Sequence, residues 1–158
     1  MTLPEVMVTA ALVATFFASI FELNGLCLRF INASKDNVSA IEGVQDRLES
    51  LRSLAFSDLS TASYITTLLT TPANSSNLAS IATETVTLTD YAAGSPIVTY
   101  TRPPGAISSP SASWSGGSSF PATTTLIKAT VQYTWSTSMG GRTRTEKTET
   151  IISDGTKK

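Results

Sequence analysis

The sequence predicts an α+β fold: a long N-terminal α-helix, with a C-terminal antiparallel β-sheet packed on the helix's second half. Three observations carry this expectation. A charge-free apolar run, Val6 to Phe21, passes into a segment of helical periodicity that reaches Leu54. Alternating β-branched runs, Thr83 to Thr89 and Ala129 to Trp135, occupy the C-terminal half. Clusters of Pro, Gly and Ser punctuate the strand region and mark its turns.

The first element is one helix from about Pro4 to Leu54. Between Val6 and Phe21 only Thr9, Thr15 and Ser19 are polar. The apolar run resumes after Glu22 and ends at Arg29. A membrane span needs about 20 mostly apolar residues, and this segment qualifies if Glu5 and Glu22 lie near its edges. It lacks the basic leading region and small-residue cleavage site of a secretory signal peptide. From Ile31 the pattern turns amphipathic. Ile31, Val38, Ile41, Val44, Leu48, Leu51 and Ala55 form one stripe, and Lys35, Asp36, Glu42, Asp46, Arg47, Glu49 and Arg52 form the polar remainder. The first half therefore needs lipid or other helices, and the second half needs a globular partner. Asn24-Gly25 is expected to bend or melt the helix, because Gly costs about 1 kcal/mol against Ala. Gly43 is a second weak point, or a place of close backbone packing against a sheet.

Phe56 to Pro72 reads as a short helix carrying Leu59, Ala62, Ile65 and Leu69, capped at Ser57-Asp58. Asn74 to Asn77 reads as loop. Two hairpins follow. Thr83 to Thr89 returns through Ala93-Gly94-Ser95 into Pro96 to Thr101. Ala129 to Trp135 returns through Met139-Gly140-Gly141 into Arg142 to Ser153. Ala106 to Ala122, rich in Ser, Gly and Pro, reads as an irregular excursion with Trp114 and Phe120 embedded. About four strands are expected. The organisation is thus 1–28 hydrophobic helix, 29–55 amphipathic continuation, and 56–158 globular loop and sheet domain.

Composition narrows the function. The chain has 158 residues and a formal net charge of −1, which points to no nucleic-acid partner. Charged residues are 15%, against about a quarter in ordinary domains. The C-terminal cations Arg142, Arg144 and Lys147 are interleaved with Glu146 and Glu149, as on a solvated strand face. There is no histidine, so neither a Ser-His-Asp nor a Cys-His arrangement is possible. No Gly-rich phosphate loop follows a strand. The single cysteine, Cys27, forms no intramolecular disulfide and reads as a small buried hydrophobe. No enzyme, cofactor or metal site is expected.

Glu5 is the informative residue. A carboxylate at the head of an apolar helix is expensive to bury unless paired. Two readings are open. Glu5 of one subunit neutralises the terminal amine of a neighbour in a staggered bundle, which adds little stability but sets register. Alternatively, it lies at headgroup level and stabilises its own helix N-terminus.

Thr2-Leu3-Pro4-Glu5-Val6, followed by the apolar stretch, resembles the mature N-terminus of type IV pilins and type II secretion pseudopilins. The long helix, loop and terminal hairpin (Val131 to Trp135, then Thr148 to Ile152) are similar to that architecture. The resemblance implies a chain trimmed by a prepilin peptidase and N-methylated at Met1. Met1 and Glu5 would be its assembly residues. It further implies a homopolymer handled by pilus or secretion machinery, held in the cytoplasmic membrane before assembly and in an extracellular filament after it. The proline that many pilins carry near position 22 is replaced by Glu22, and the C-terminal cysteine pair of one branch is missing. Alternatives are a pseudopilin of a type II secretion system and a single-span membrane-anchored binding protein. Of the sequons at Asn32, Asn37 and Asn74, the loop site Asn74 is the candidate for glycosylation.

Overall fold

The computed structural model describes residues 2–137 and 141–156, with Met139 and Gly140 of the expected turn outside the described residues. The chain divides into two compact units, residues 1–35 and 36–158.

Helix α1 spans Leu3–Ser53, against the expected 4–54. Asn24-Gly25 does not interrupt it: the segment is helical throughout. The cost of one glycine is outweighed by cooperative propagation through good helix formers on both sides, Leu23, Leu26 and Leu28. Its first unit, from Thr2 through Asn32, is exposed at every described position.

In the second unit α1 buries Ala40, Gly43, Val44, Arg47, Leu48 and Leu51. This corrects the expected stripe. Val44, Leu48 and Leu51 hold their places, but Val38 and Ile41 are 53% and 43% exposed. The buried face is rotated toward smaller residues because the sheet comes very close at Gly43. A Cβ there would lie 2.5 Å from Tyr133 Cε2, so the glycine is a packing requirement. Arg47, expected on the polar face, is buried.

Three short helices follow: α2 Phe56–Leu59, α3 Ala62–Leu68 and α4 Asn77–Ile81. The single helix expected here is split, and neither α2 nor α3 has a side-chain cap. Leu59, Ile65 and Leu69 are fully buried nonetheless. The third helix starts at the last residue of the expected loop, where the Ser76 hydroxyl caps it by accepting from the Ala79 amide at 3.1 Å.

The sheet has five antiparallel strands, β1 Thr83–Asp90, β2 Ile97–Arg102, β3 Ser111–Ser115, β4 Leu126–Ser136 and β5 Thr143–Ser153, in the order β3-β2-β1-β4-β5. The two expected hairpins are β1–β2 and β4–β5. The fifth strand, β3, lies inside the excursion read as irregular. Its Ser-rich sequence hides it, but it completes the free edge of β2, with Trp114 opposite Val98. Trp114 meets the buried Phe120 edge to face, centroids 5.5 Å apart, so this aromatic pair pins the excursion to its own domain. The inner face carries Val86, Leu88, Val98, Tyr100, Ala129, Val131, Tyr133 and Trp135, all buried. The outer face of β1 is Thr83, Thr85, Thr87 and Thr89, β-branched for the strand and hydroxylated for water.

A row of charge crosses this core. Glu84 on β1 stands opposite Arg102 on β2 and Tyr133 on β4. Arg47 of α1 reaches it, donating from Nη2 to Glu84 Oε2 at 3.1 Å and from Nε to Oε1. Two more of its donors close the carbonyls of Leu68 and Thr71 at 3.1 and 2.8 Å. Arg102 donates to the carbonyls of Ala79 and Gly105. Arg52 adds a peripheral tie to Thr150 at 2.6 Å.

Candidate functional site

The candidate site is the uncovered part of α1. Phe16, Phe17 and Phe21 are 64%, 53% and 72% exposed, and Leu12 and Leu23 are equally open. The helix is long and apolar enough to cross a membrane, and its most apolar stretch buries nothing within the chain. In water that much uncovered apolar surface is strongly unfavourable.

The polar residues within this stretch are consistent with an apolar surrounding. Thr15 donates its hydroxyl to the Ala11 and Leu12 carbonyls at 3.0 and 2.9 Å. Ser19 donates to the Thr15 carbonyl at 2.9 Å, and Thr9 donates to that of Glu5. Each hydroxyl is therefore satisfied by its own helix, which removes most of the cost of taking it out of water.

Glu5 lies in the first turn of α1. Its Oε2 accepts a hydrogen bond from the Thr2 amide at 2.8 Å. That is one half of a capping box, in which the third helical residue reaches back to the cap. The spacing Thr2-x-x-Glu5 before an apolar run is the signal by which this bond is legible in the sequence. Met1, the other expected assembly residue, lies outside the described residues.

Further along, Glu22 and Arg29 are both exposed, and no ion pair joins either of them among the described residues. With Phe21, Gly25 and Leu26 they line an open notch on the helix surface. Cys27 is exposed, which corrects its reading as a buried hydrophobe.

In the second unit Asn74 is half-buried in the loop before α4. Its amide nitrogen, the atom a glycan would take, donates to Asp46 Oδ2 at 2.8 Å, and its Oδ1 accepts from Ser76 N at 3.0 Å. The C-terminal charges form surface contacts. Lys147 pairs with Glu149 at 2.8 Å, Lys128 lies 3.8 Å from the same carboxylate, and Arg144 donates to Asn37 at 3.2 Å. Lys147, through its hydrogen bond, holds the Glu149 carboxyl below the usual glutamate range, with Lys128 adding to the effect. Among the described residues, no group of three or more His, Cys, Asp or Glu side chains is placed to hold a metal ion. No known protein family, curated protein or solved structure matches the chain.

Proposed function

We propose that this chain is a structural subunit of an extracellular type IV pilus-like filament. It polymerises through the apolar part of α1, with Glu5 pairing to the N-terminus of a neighbouring copy. The observation that carries the reading is the apolar helix itself, exposed from Thr2 through Asn32 and joined to a unit with a complete core of its own. Such a helix requires lipid before assembly and other helices after it.

Glu5 is suited to the role. It stands at the head of the apolar run, exposed, and its bond to the Thr2 amide leaves Oε1 without a hydrogen bond or ion pair among the described residues. A neighbour's amine therefore has an acceptor to meet without that cap being broken. The subunit would enter from the cytoplasmic membrane, after processing by a prepilin peptidase.

Glu5→Ala tests the reading. Filament yield should fall sharply while the fluorescence of Trp114 and Trp135, both in the second unit, stays unchanged. Normal yield from this variant sinks the role of Glu5. Intact mass of the native protein adds a second test, since one methyl group on the terminal amine is expected.

A second reading is favoured by the same bond. A carboxylate satisfied by Thr2 needs no neighbour, as in a single-span membrane-anchored binding protein. Recovery of the native protein only as membrane-embedded monomers establishes that reading instead.

A further inference from the structure

The apolar helix carries two charges in its interior that its own chain leaves unused. From Val6 to Phe30 Glu22 is the only acidic residue and Arg29 the only basic one. They are seven residues apart, which is about 20° short of two full turns, so both stand on one face. Between them on that face lie Gly25 and Leu26. A Cβ added at Gly25 would meet nothing within 4 Å, so the notch between the two charges is open.

Lipid alone serves this region poorly. Glu5 and Glu22 lie about 26 Å apart along the axis. A hydrocarbon layer of about 30 Å is nearly filled by the stretch between them. The apolar residues beyond Glu22, among them Leu23, Leu26, Leu28 and Phe30, then lie at or past the membrane edge and remain exposed. Drawing them inward would bring Glu22 into hydrocarbon. A protein partner that covers this apolar surface must therefore also neutralise one carboxylate and one guanidinium about 10.5 Å apart along the axis.

A second copy of this helix offers that pattern. We propose that Glu22 of one subunit pairs with Arg29 of a parallel neighbour displaced by seven residues, across the notch at Gly25. The proposal rests on the filament reading and adds a second register-setting contact to it. When the charged face of every copy points toward the bundle axis, a displacement of seven residues brings carboxylate and guanidinium to one level. This holds for any rotation that separates the copies around the axis. The missing side chain at Gly25 lets the neighbouring backbone approach, so the two long side chains meet over a short span. Such a pair supplies specificity more than stability, because a displacement of a few residues leaves both charges desolvated and unmatched.

The test uses full-length chains expressed in a strain that carries pilus-assembly machinery. Glu22→Arg and Arg29→Glu, each alone, should reduce filament yield about tenfold or more, as loss of one partner of a desolvated pair does. Co-expression of the two single variants should restore yield. When the two alternate along the filament, every position 22 again faces a position 29 of opposite sign. The wild-type filament should show an axial rise of about 10.5 Å per subunit. Wild-type yield from both single variants overturns the pairing and leaves the filament reading intact. Two defective variants that do not rescue each other also overturn it. A wild-type chain that forms no filament removes the reading on which the pairing rests.

Discussion

Arg47→Met tests the packing of α1 on the sheet most directly. Arg47 is 2% exposed and Glu84 is fully buried. The substitution keeps most of the aliphatic volume but deletes every donor. Glu84 loses two charge-assisted bonds, and the carbonyls of Leu68 and Thr71 lose theirs. Breaking a buried pair in this way costs about 3–5 kcal/mol. Arg102, opposite Glu84 in the next strand and drawn electrostatically to it, remains as a second cation, which places the cost at the lower end of that range. For a chain of this size about 3 kcal/mol lowers Tm by about 6–12 °C. The assay is a thermal melt of the full chain in detergent micelles followed by tryptophan emission, since both tryptophans lie in the sheet unit. Arg47→Met/Glu84→Leu should recover much of the loss, because a buried pair exchanged whole for apolar residues is close to neutral. A single variant within about 3 °C of wild type, or a double variant less stable than the single, would refute the account.

Three further outcomes are expected. Gly43→Ala should lower stability by about 1–3 kcal/mol through overpacking against the Tyr133 ring, and Gly43→Ala/Tyr133→Leu should recover part of it in the same melt. Stability should fall as pH rises above about 10: burial, with the Glu84 charge adding, raises the Tyr133 phenol above the usual tyrosine range. The unfolded chain then loses its proton first. Tyr133→Phe should flatten that alkaline decline in a melt-versus-pH series. Asp90 responds in the opposite direction. The Thr124 hydroxyl at 2.6 Å, with the amides of Ala93 and Ala92, holds its carboxyl below the usual aspartate range. Its contribution is present above about pH 4 and is lost as pH falls through the folded value. Thr124→Val should therefore shrink the acid sensitivity of the melt.

The helix, both hairpins and the inward sets of β1 and β4 were legible because each follows a strong period of 3.6 or 2. The rotation of α1 was not. Periodicity defines an apolar stripe, but which of two adjoining stripes is buried depends on where the sheet comes closest. Gly43 and Ala40 bury because they are small, and Arg47 because Glu84 waits on β1, and neither reason is hydrophobic. The central pairing of β1 with β4 joins strands from separate hairpins. No local turn signal announces it. Strand β3 was hidden by its Ser-rich composition, which reads as loop until a free sheet edge is supplied. At the candidate site, the position of Glu5 at the head of an apolar helix was legible, and its bond to Thr2 is signalled by the Thr2-x-x-Glu5 spacing alone.

One helix serves two different environments, and the physics of each half keeps the two roles separable. Residues 40–51 hold the buried positions that α1 contributes to the sheet unit's core, and among the described residues no core residue lies N-terminal of Ala40. Substitutions between Thr2 and Asn32 therefore leave that core's packing untouched, and an assembly defect there is not a folding defect in disguise. The uncovered half, in turn, needs no fixed partner to remain helical. Its backbone groups are bonded within the helix, and Thr9, Thr15 and Ser19 return their hydroxyls to it. It can therefore exchange lipid for neighbouring helices without uncovering the hydroxyls of Thr9, Thr15 and Ser19. The charged side chains and the amide of Asn24 have to find new partners in that exchange. On the filament reading proposed above, Glu5, Glu22 and Arg29 are the positions that would distinguish the correct displacement from every other.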